Sequence, residues 1–413
     1  MKKFLISIAL LLTLVPVVHA STRFFEIQSI DTMKYSRDDA KNDAVTKVIP
    51  LLVEKVASLH PTHIAVATPY DEEFYPVLKV WVSEARKHGL KVWFRGNFSS
   101  WEGWFNYPKF PNPNDHNLKS FAFITGHPDL FQEGDIFTPV PEPENGGFGD
   151  PRQSETIKQQ FLNFLPVSYE NCVLAFEQIQ RSVKCGYYSV NGDVARDIMT
   201  KDVILKTGGV LVIDHYVKTP EKLITDISLL HLKFGVPIVL GEFGAPIPDI
   251  NGKMTDEQQY QYIRGSLLDL SRNSDVIQGV NYWTAFRGST KIFTDNFEPK
   301  KATLVIQEYF QPLVVIGKVT DSFNQPLEGV RIGPRGLKKV FTDKSGLYQF
   351  ATTKDFPTII AEKESFFSQR FNVRSDRTNN TITKNLLLPY QSEGIFGYLR
   401  TLLNSLFGNI HSQ

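Results

Sequence analysis

A chain of 413 residues with 45 Lys and Arg against 44 Asp and Glu has no overall field that would draw it to nucleic acid or to an anionic membrane. A neutral partner suits it better, and the length exceeds what one hydrophobic core usually holds, so one large and one small domain are expected. The two cysteines, Cys172 and Cys185, cannot build a disulfide framework, and the sequence leaves open whether they pair or lie buried as separate thiols.

In chain order the first element is a leader. Lys2 and Lys3 precede an apolar run from Phe4 to Val18, and Val18-His19-Ala20 places small residues at the outer and final positions of a cleavage site. The run is shorter than the roughly 20 apolar residues a spanning helix needs. Residues 1–20 read as a signal peptide, so a secreted, extracellular protein beginning near Ser21 is expected.

From Phe24 to about Gln311 short β-branched or aromatic runs alternate with longer amphipathic stretches, the pattern of repeated βα units on a parallel sheet. Eight strands are predicted: Phe24–Ile30, Ile64–Thr68, Lys91–Arg95, Ile136–Val140, Gly186–Val190, Val210–Tyr216, Ile238–Glu242 and Gly279–Trp283. Helical periodicity fills the gaps at Asp38–Ser58, Glu72–His88, Ser154–Leu165 and Asp256–Arg272. Eight such units closing on themselves make an α/β fold of the (β/α)8 barrel type over residues 21–312; an open doubly wound sheet is the alternative. After Ile30 the chain runs Asp31-Thr32-Met33-Lys34, with no G-x-G-x-x-G to receive a dinucleotide, and no histidine spacing suggests a metal, so no cofactor is expected.

Beyond Phe310-Gln311-Pro312 the texture turns to short strands and turn residues, an all-β segment. Gly317-Lys318-Val319-Thr320-Asp321, Pro326-Leu327-Glu328-Gly329-Val330 and Thr342-Asp343 through Gly346-Leu347-Tyr348-Gln349-Phe350 follow in order. Residues 313–390 thereby resemble the carboxypeptidase regulatory-like, transthyretin-like β-sandwich, a resemblance that implies a fold and leaves the role open. The tail, 391–413, carries Ile395, Phe396, Tyr398, Leu399, Leu402, Leu403, Leu406 and Phe407 and reads as an apolar or amphipathic helix. Packing back on the protein or fraying is one reading of it; weak membrane attachment or self-association is the other.

Barrels of this kind carry their active sites at the C-terminal face, so a functional carboxylate should close a strand and precede a loop. Two places do so. One is Pro139-Val140-Pro141-Glu142-Pro143-Glu144-Asn145 after the fourth strand, the other Leu240-Gly241-Glu242-Phe243-Gly244 after the seventh. Two carboxyl groups on opposite sides of an anomeric carbon, one protonated and one ionised, are what glycoside hydrolysis requires.

With Gly241-Glu242-Phe243-Gly244 on strand seven, a glutamate three units earlier and Asn281-Tyr282-Trp283 closing strand eight, residues 24–311 resemble the clan A glycoside hydrolases, the family 5 cellulases and mannanases among them. The resemblance implies a retaining mechanism with Glu242 as nucleophile and Glu142 as acid/base, their carboxyls about 5 to 5.5 Å apart. The family places asparagine before its acid/base, where this chain has Pro141, and Glu144 is the second candidate for the role. Ile213-Asp214-His215-Tyr216 is similar to the family's H-x-Y strand ending: Tyr216 matches as the residue touching the nucleophile, Asp214 takes the histidine's place, and alternation turns His215 outward. Trp283 corresponds to the platform on which a sugar stacks. Arg95, Asn97 and Trp101, in and after strand three, are candidate substrate contacts, with packing against the barrel rim as the competing role for the aromatic residue.

The expected function is that of a secreted retaining glycoside hydrolase cleaving β-glycosidic bonds in an extracellular or cell-wall polysaccharide or its oligosaccharides. The alternative is a catalytically silent barrel that binds glycans or other cell-surface partners.

Overall fold

The computed structural model describes residues 22–109, 112–374 and 380–391. The leader at 1–20 and the tail beyond Gln391 lie outside them.

Nine parallel strands form one curled sheet: β1 (Ile27–Asp31), β2 (His63–Val66), β3 (Lys91–Phe94), β4 (Ile136–Phe137), β5 (Lys184–Cys185), β6 (Ser189–Asn191), β7 (Leu211–Asp214), β8 (Ile238–Phe243) and β9 (Ile277–Tyr282). β1 pairs with both β2 and β9, which closes the ring on that side. On the far side the predicted fifth strand is broken. Gly186 and Tyr187 adopt left-handed φ values of 86° and 57°, so Lys184–Cys185 pairs with β4 while Ser189–Asn191 pairs with β7. The covalent chain between β5 and β6 joins the two ends of the sheet, and the barrel architecture expected from eight βα units is the one observed.

Helices cover the outside, which is why β1, β2 and β7 are buried along their whole length and show no polar alternation. Two helices differ from the periodicity. The one predicted from Asp38 starts at Asp43, where the Asn42 side chain accepts a hydrogen bond from the Ala44 amide, and a separate turn occupies Met33–Ser36. The one predicted to stop at Leu165 runs on to Gln178 through Pro166, because Ser168, Cys172, Ala175 and Phe176 continue its buried face. Cys172 and Cys185 form a disulfide that ties this second half to β5.

Inside the barrel an apolar layer of Ile27, Ala65, Trp93, Ile136, Tyr187, Val212 and Val239 draws on nearly every strand and fills the lower half. Polar side chains replace it above: Asp31, Arg95, Ser189, Asp214, Glu242 and Asn281 are all buried near the C-terminal strand ends. That change of layer positions the site.

After the helix Ala302–Phe310 two small sheets follow. One carries β10 (Leu313–Thr320) between β13 (Leu347–Thr352) and β16 (Thr381–Thr383), with β17 (Leu386–Leu387) also on β10; the other runs β12 (Val340–Phe341), β11 (Arg331–Pro334), β14 (Thr358–Glu362), β15 (Gln369–Asn372). Val315, Val319, Tyr348 and Phe350 of the first share one core with Ile332, Ile359 and Ala361 of the second. Asp355 anchors this unit to the barrel, accepting from Tyr309 Oη at 3.0 Å and from Arg264 Nε at 3.3 Å. Among the described residues no helix is long and apolar enough to cross a membrane.

Candidate active site

Glu242 sits near the end of β8 with its carboxyl turned into the barrel. Tyr216 Oη donates to Oε2 at 2.7 Å, and Arg95 Nη2 lies 3.2 Å from Oε1 in an ion pair whose geometry does not make a hydrogen bond. The glycines around it are required by close approach. A Cβ on Gly241 would fall 2.5 Å from Asp214 Oδ1 and 2.7 Å from Ser189 Cβ, and one on Gly244 would strike the Trp283 carbonyl oxygen. The four-residue motif is thus a packing solution for a carboxylate squeezed between β7 and β9.

Arg95 is the hub beneath the site. Its Nη1 donates to the Gly241 carbonyl at 2.6 Å and to Asp31 Oδ2 at 3.2 Å, and its Nη2 reaches Ser189 Oγ at 3.0 Å and Asp214 Oδ2 at 3.4 Å. Burial works against the guanidinium charge, but Asp214, Glu242 and Asp31 outweigh it and hold the pKa above its ordinary value. Burial raises the Glu242 carboxyl, with Arg95 and the Tyr216 hydrogen bond opposing and Glu142 adding to the rise. Asp214 is driven well above the carboxylate range by burial and then by the charge of Glu242. The Tyr216 phenol, raised by burial and by Glu242, keeps the proton it donates.

Glu142 and Glu144 part company. Both follow β4, and Glu142 adopts a left-handed backbone, φ 43° and ψ 56°, with its amide donating to the Ser189 carbonyl at 2.9 Å. Its side chain is partly exposed, and its charge is felt by Glu242, Arg95, Asp214 and Tyr216. Glu144 is buried and turned to β6, where its Oε1 accepts from the Asn191 amide at 2.6 Å and from Asn191 Nδ2 at 3.0 Å. Burial pushes Glu144 up to about 7. Between the two, Glu142 is the one whose charge acts on Glu242.

Trp283 is partly exposed beside this centre, its ring in edge contact with Tyr216 at 6.0 Å between centroids, with Lys34 Nζ 5.6 Å from its centroid. His215 points outward to Asp226 Oδ2 at 2.9 Å.

Other expected contacts need correction. Trp101 is fully buried, stacked on Phe164 at 5.4 Å and in edge contact with His116 at 4.8 Å, so no sugar face can reach it. It lies under the loop after β4, where Gly146 and Gly147 leave no room for a Cβ against its ring. Asn97 is buried too, its Oδ1 shared between the Phe98 amide and His116 Nε2, each at 2.8 Å. Arg95 and Asp214 are likewise buried.

Sequence reasoning passed over Asp31, Ser189, Asn281 and Glu102. Asp31 holds Arg95 from β1 and itself accepts from the Met33 amide at 2.7 Å and Asn281 Nδ2 at 3.2 Å. A charged residue directly after the predicted strand Phe24–Ile30 was the available signal. Glu102, in the loop after β3, is pushed up to about 7 by burial and by Glu142, which puts a third carboxyl on that side of the cleft.

No family model and no curated protein matches the chain. Solved structures do. A GH5_18 enzyme from Bifidobacterium longum subsp. longum in complex with Manb1-4GlcNAc superposes with a TM-score of 0.53 at 14% identity, over 74% of this chain and 86% of its own. GH5_18 from Streptomyces cattleya in complex with GlcNAc gives 0.53 at 14%, over 73% and 85%. A Bacteroides uniformis β-glucuronidase gives 0.48 at 12% over 88% of this chain and 46% of that one, so the chain spans about half its length. At such identities the likeness is one of fold, and the barrel has the architecture of GH5 glycoside hydrolases.

Proposed function

We propose that the protein is a secreted retaining glycoside hydrolase acting on β-glycosidic bonds of an extracellular or cell-wall polysaccharide. The observation that carries the reading is the environment of Glu242: a carboxylate near a strand end, gripped on one oxygen by Tyr216 and on the other by Arg95, with the partly exposed Glu142 near enough for its charge to register. Glu242 attacks the anomeric carbon as the bond to the leaving oxygen breaks and Glu142 delivers its proton to that oxygen; Glu142 then takes a proton from the water that releases the sugar. Trp283, open beside Tyr216, offers a face for the ring being cleaved. Residues 313–390 are read as a carboxypeptidase regulatory-like appendage on the motifs and on the core shared by its two sheets.

A binding barrel without catalysis is the second reading, favoured by Pro141 in the place of the family's asparagine. Mass spectrometry after incubation with 2-fluoro-glycosides, β-mannosyl and β-glucosyl among them, decides between the two. An adduct on Glu242, absent in Glu242→Gln, is the expected result; glycan binding that survives Glu242→Gln, with no adduct from any sugar, would move the assignment to the silent barrel.

A further inference from the structure

We propose that Asp214 holds a proton in the resting protein and acts as a positioning residue that leaves Glu242 the anionic partner of Arg95. The inference rests on the assignment of Glu242 as nucleophile. Asp214 and Glu242 are register partners on the adjacent parallel strands β7 and β8, both buried and both reaching Arg95 Nη2.

Three buried carboxyls, Asp31, Asp214 and Glu242, share the single Arg95 guanidinium. Ionising all three would leave two uncompensated charges in the barrel interior, which a low-dielectric site does not tolerate. The donors single out Asp31 as an anion, which leaves the proton to the pair Asp214 and Glu242. Asp31 has three: the Met33 amide at 2.7 Å, Asn281 Nδ2 at 3.2 Å and Arg95 Nη1 at 3.2 Å. Glu242 has one, Tyr216 Oη at 2.7 Å, with Arg95 Nη2 3.2 Å from Oε1 in an ion pair that makes no hydrogen bond. Asp214 accepts on Oδ2 from Arg95 at 3.4 Å, a longer contact than the 3.2 Å between Arg95 and Glu242, and is also hydrogen-bonded to the Ser189 side chain; with Glu242 the attacking anion, the proton falls to Asp214.

Two buried carboxyl oxygens of this cluster accept no hydrogen bond, Asp214 Oδ1 and Glu242 Oε1, and they belong to the register partners. One proton on Asp214 Oδ1 turns that side chain from a competing anion into a neutral donor and leaves one uncompensated charge in place of two, with Asp31 and Glu242 as the anions beside Arg95. Burial and the Glu242 charge push Asp214 in the same direction.

The test compares wild type with Asp214→Asn, a near-isostere of the protonated acid. The first readout is the rate of Glu242 labelling by a 2-fluoro-glycosyl fluoride against pH, chosen because fluoride leaves without a proton from Glu142. The proposal expects the acid limb of that profile to stay where it is in Asp214→Asn. If Asp214 is ionised in the resting protein, removing its charge moves the limb down by about one pH unit or more, which overturns the proposal. The second readout needs no chemistry. Wild-type melting temperature should fall relative to Asp214→Asn as pH rises from the unfolded carboxylate value, about 4, towards neutrality, since a raised folded pKa gives stability that is lost as pH rises. An Asp214→Asn protein that melts lower than wild type at neutral pH, or fails to fold, overturns it as well. Absence of any wild-type label would sink the hydrolase assignment alone, and the melting comparison would still judge the proton.

Discussion

Tyr216 and Glu242 are joined across β7 and β8 by a 2.7 Å hydrogen bond from the phenol to Oε2, the shortest contact the Glu242 carboxylate makes. A donor fixed there aligns the attacking oxygens and stabilises the anion before a substrate arrives. Removing it with Tyr216→Phe leaves the ring against Trp283 and takes away only the hydroxyl. A hydrogen bond to a charged group is worth about 1.5 to 3 kcal/mol, which corresponds to roughly 10- to 150-fold in rate. Steady-state kinetics should show that loss in kcat with KM little changed. An unaltered kcat would mean that Tyr216 has no part in the chemistry.

The division of labour between Glu142 and Glu144 is testable through leaving groups. An acid that must protonate the departing oxygen matters most when that oxygen is strongly basic, so Glu142→Ala should cost about 10²- to 10⁴-fold with an unactivated glycoside and far less with a dinitrophenyl one. Azide should then restore turnover by attacking the glycosyl-enzyme in the space left by Glu142. Glu144→Gln keeps an acceptor for the Asn191 amide and should leave both rates near wild type. Reversal of this pattern would transfer the acid/base role to Glu144.

Trp101 gives a prediction about folding. Its indole lies directly against Gly146 and Gly147 of the loop that carries Glu142, with Phe164 stacked on it at 5.4 Å. Trp101→Ala should therefore lower stability by about 3 to 5 kcal/mol through the cavity it leaves. Denaturant unfolding measures this. A raised KM with unchanged stability would return Trp101 to the substrate surface.

The case of Trp101 shows where sequence stops being legible. The barrel could be read because strand and helix periodicities are local, and Glu242, Tyr216 and Trp283 could be placed because strand ends in such a barrel converge on one face. A tryptophan in a loop beside polar residues carries no such signal: exposure depends on Phe148, Phe164 and His116 arriving from elsewhere in the chain. Arg95 failed similarly. Its charge suggested contact with substrate, whereas β1, β6, β7 and β8 together supply enough acceptors to bury it. The break in the fifth strand was hidden because Tyr187, a good strand former, takes a left-handed backbone that residue preference argues against.

Glu144 closes the set with a pH dependence of stability. Its folded pKa, pushed up to about 7 from an ordinary 4.5 chiefly by burial, lies above its unfolded value. The folded state therefore holds a proton that the unfolded chain has lost throughout that window. Stability from this group is fully present below about 4.5 and declines as pH rises, by at most about 1.4 kcal/mol per unit, until the folded carboxyl also ionises near 7. Glu144→Gln cannot titrate. Its melting temperature should accordingly gain on wild type between about pH 5 and 7 and run parallel to it above about pH 8. A gap constant from pH 5 upward would mean that Glu144 is ionised in the fold, with the Asn191 amide and side chain outweighing its burial.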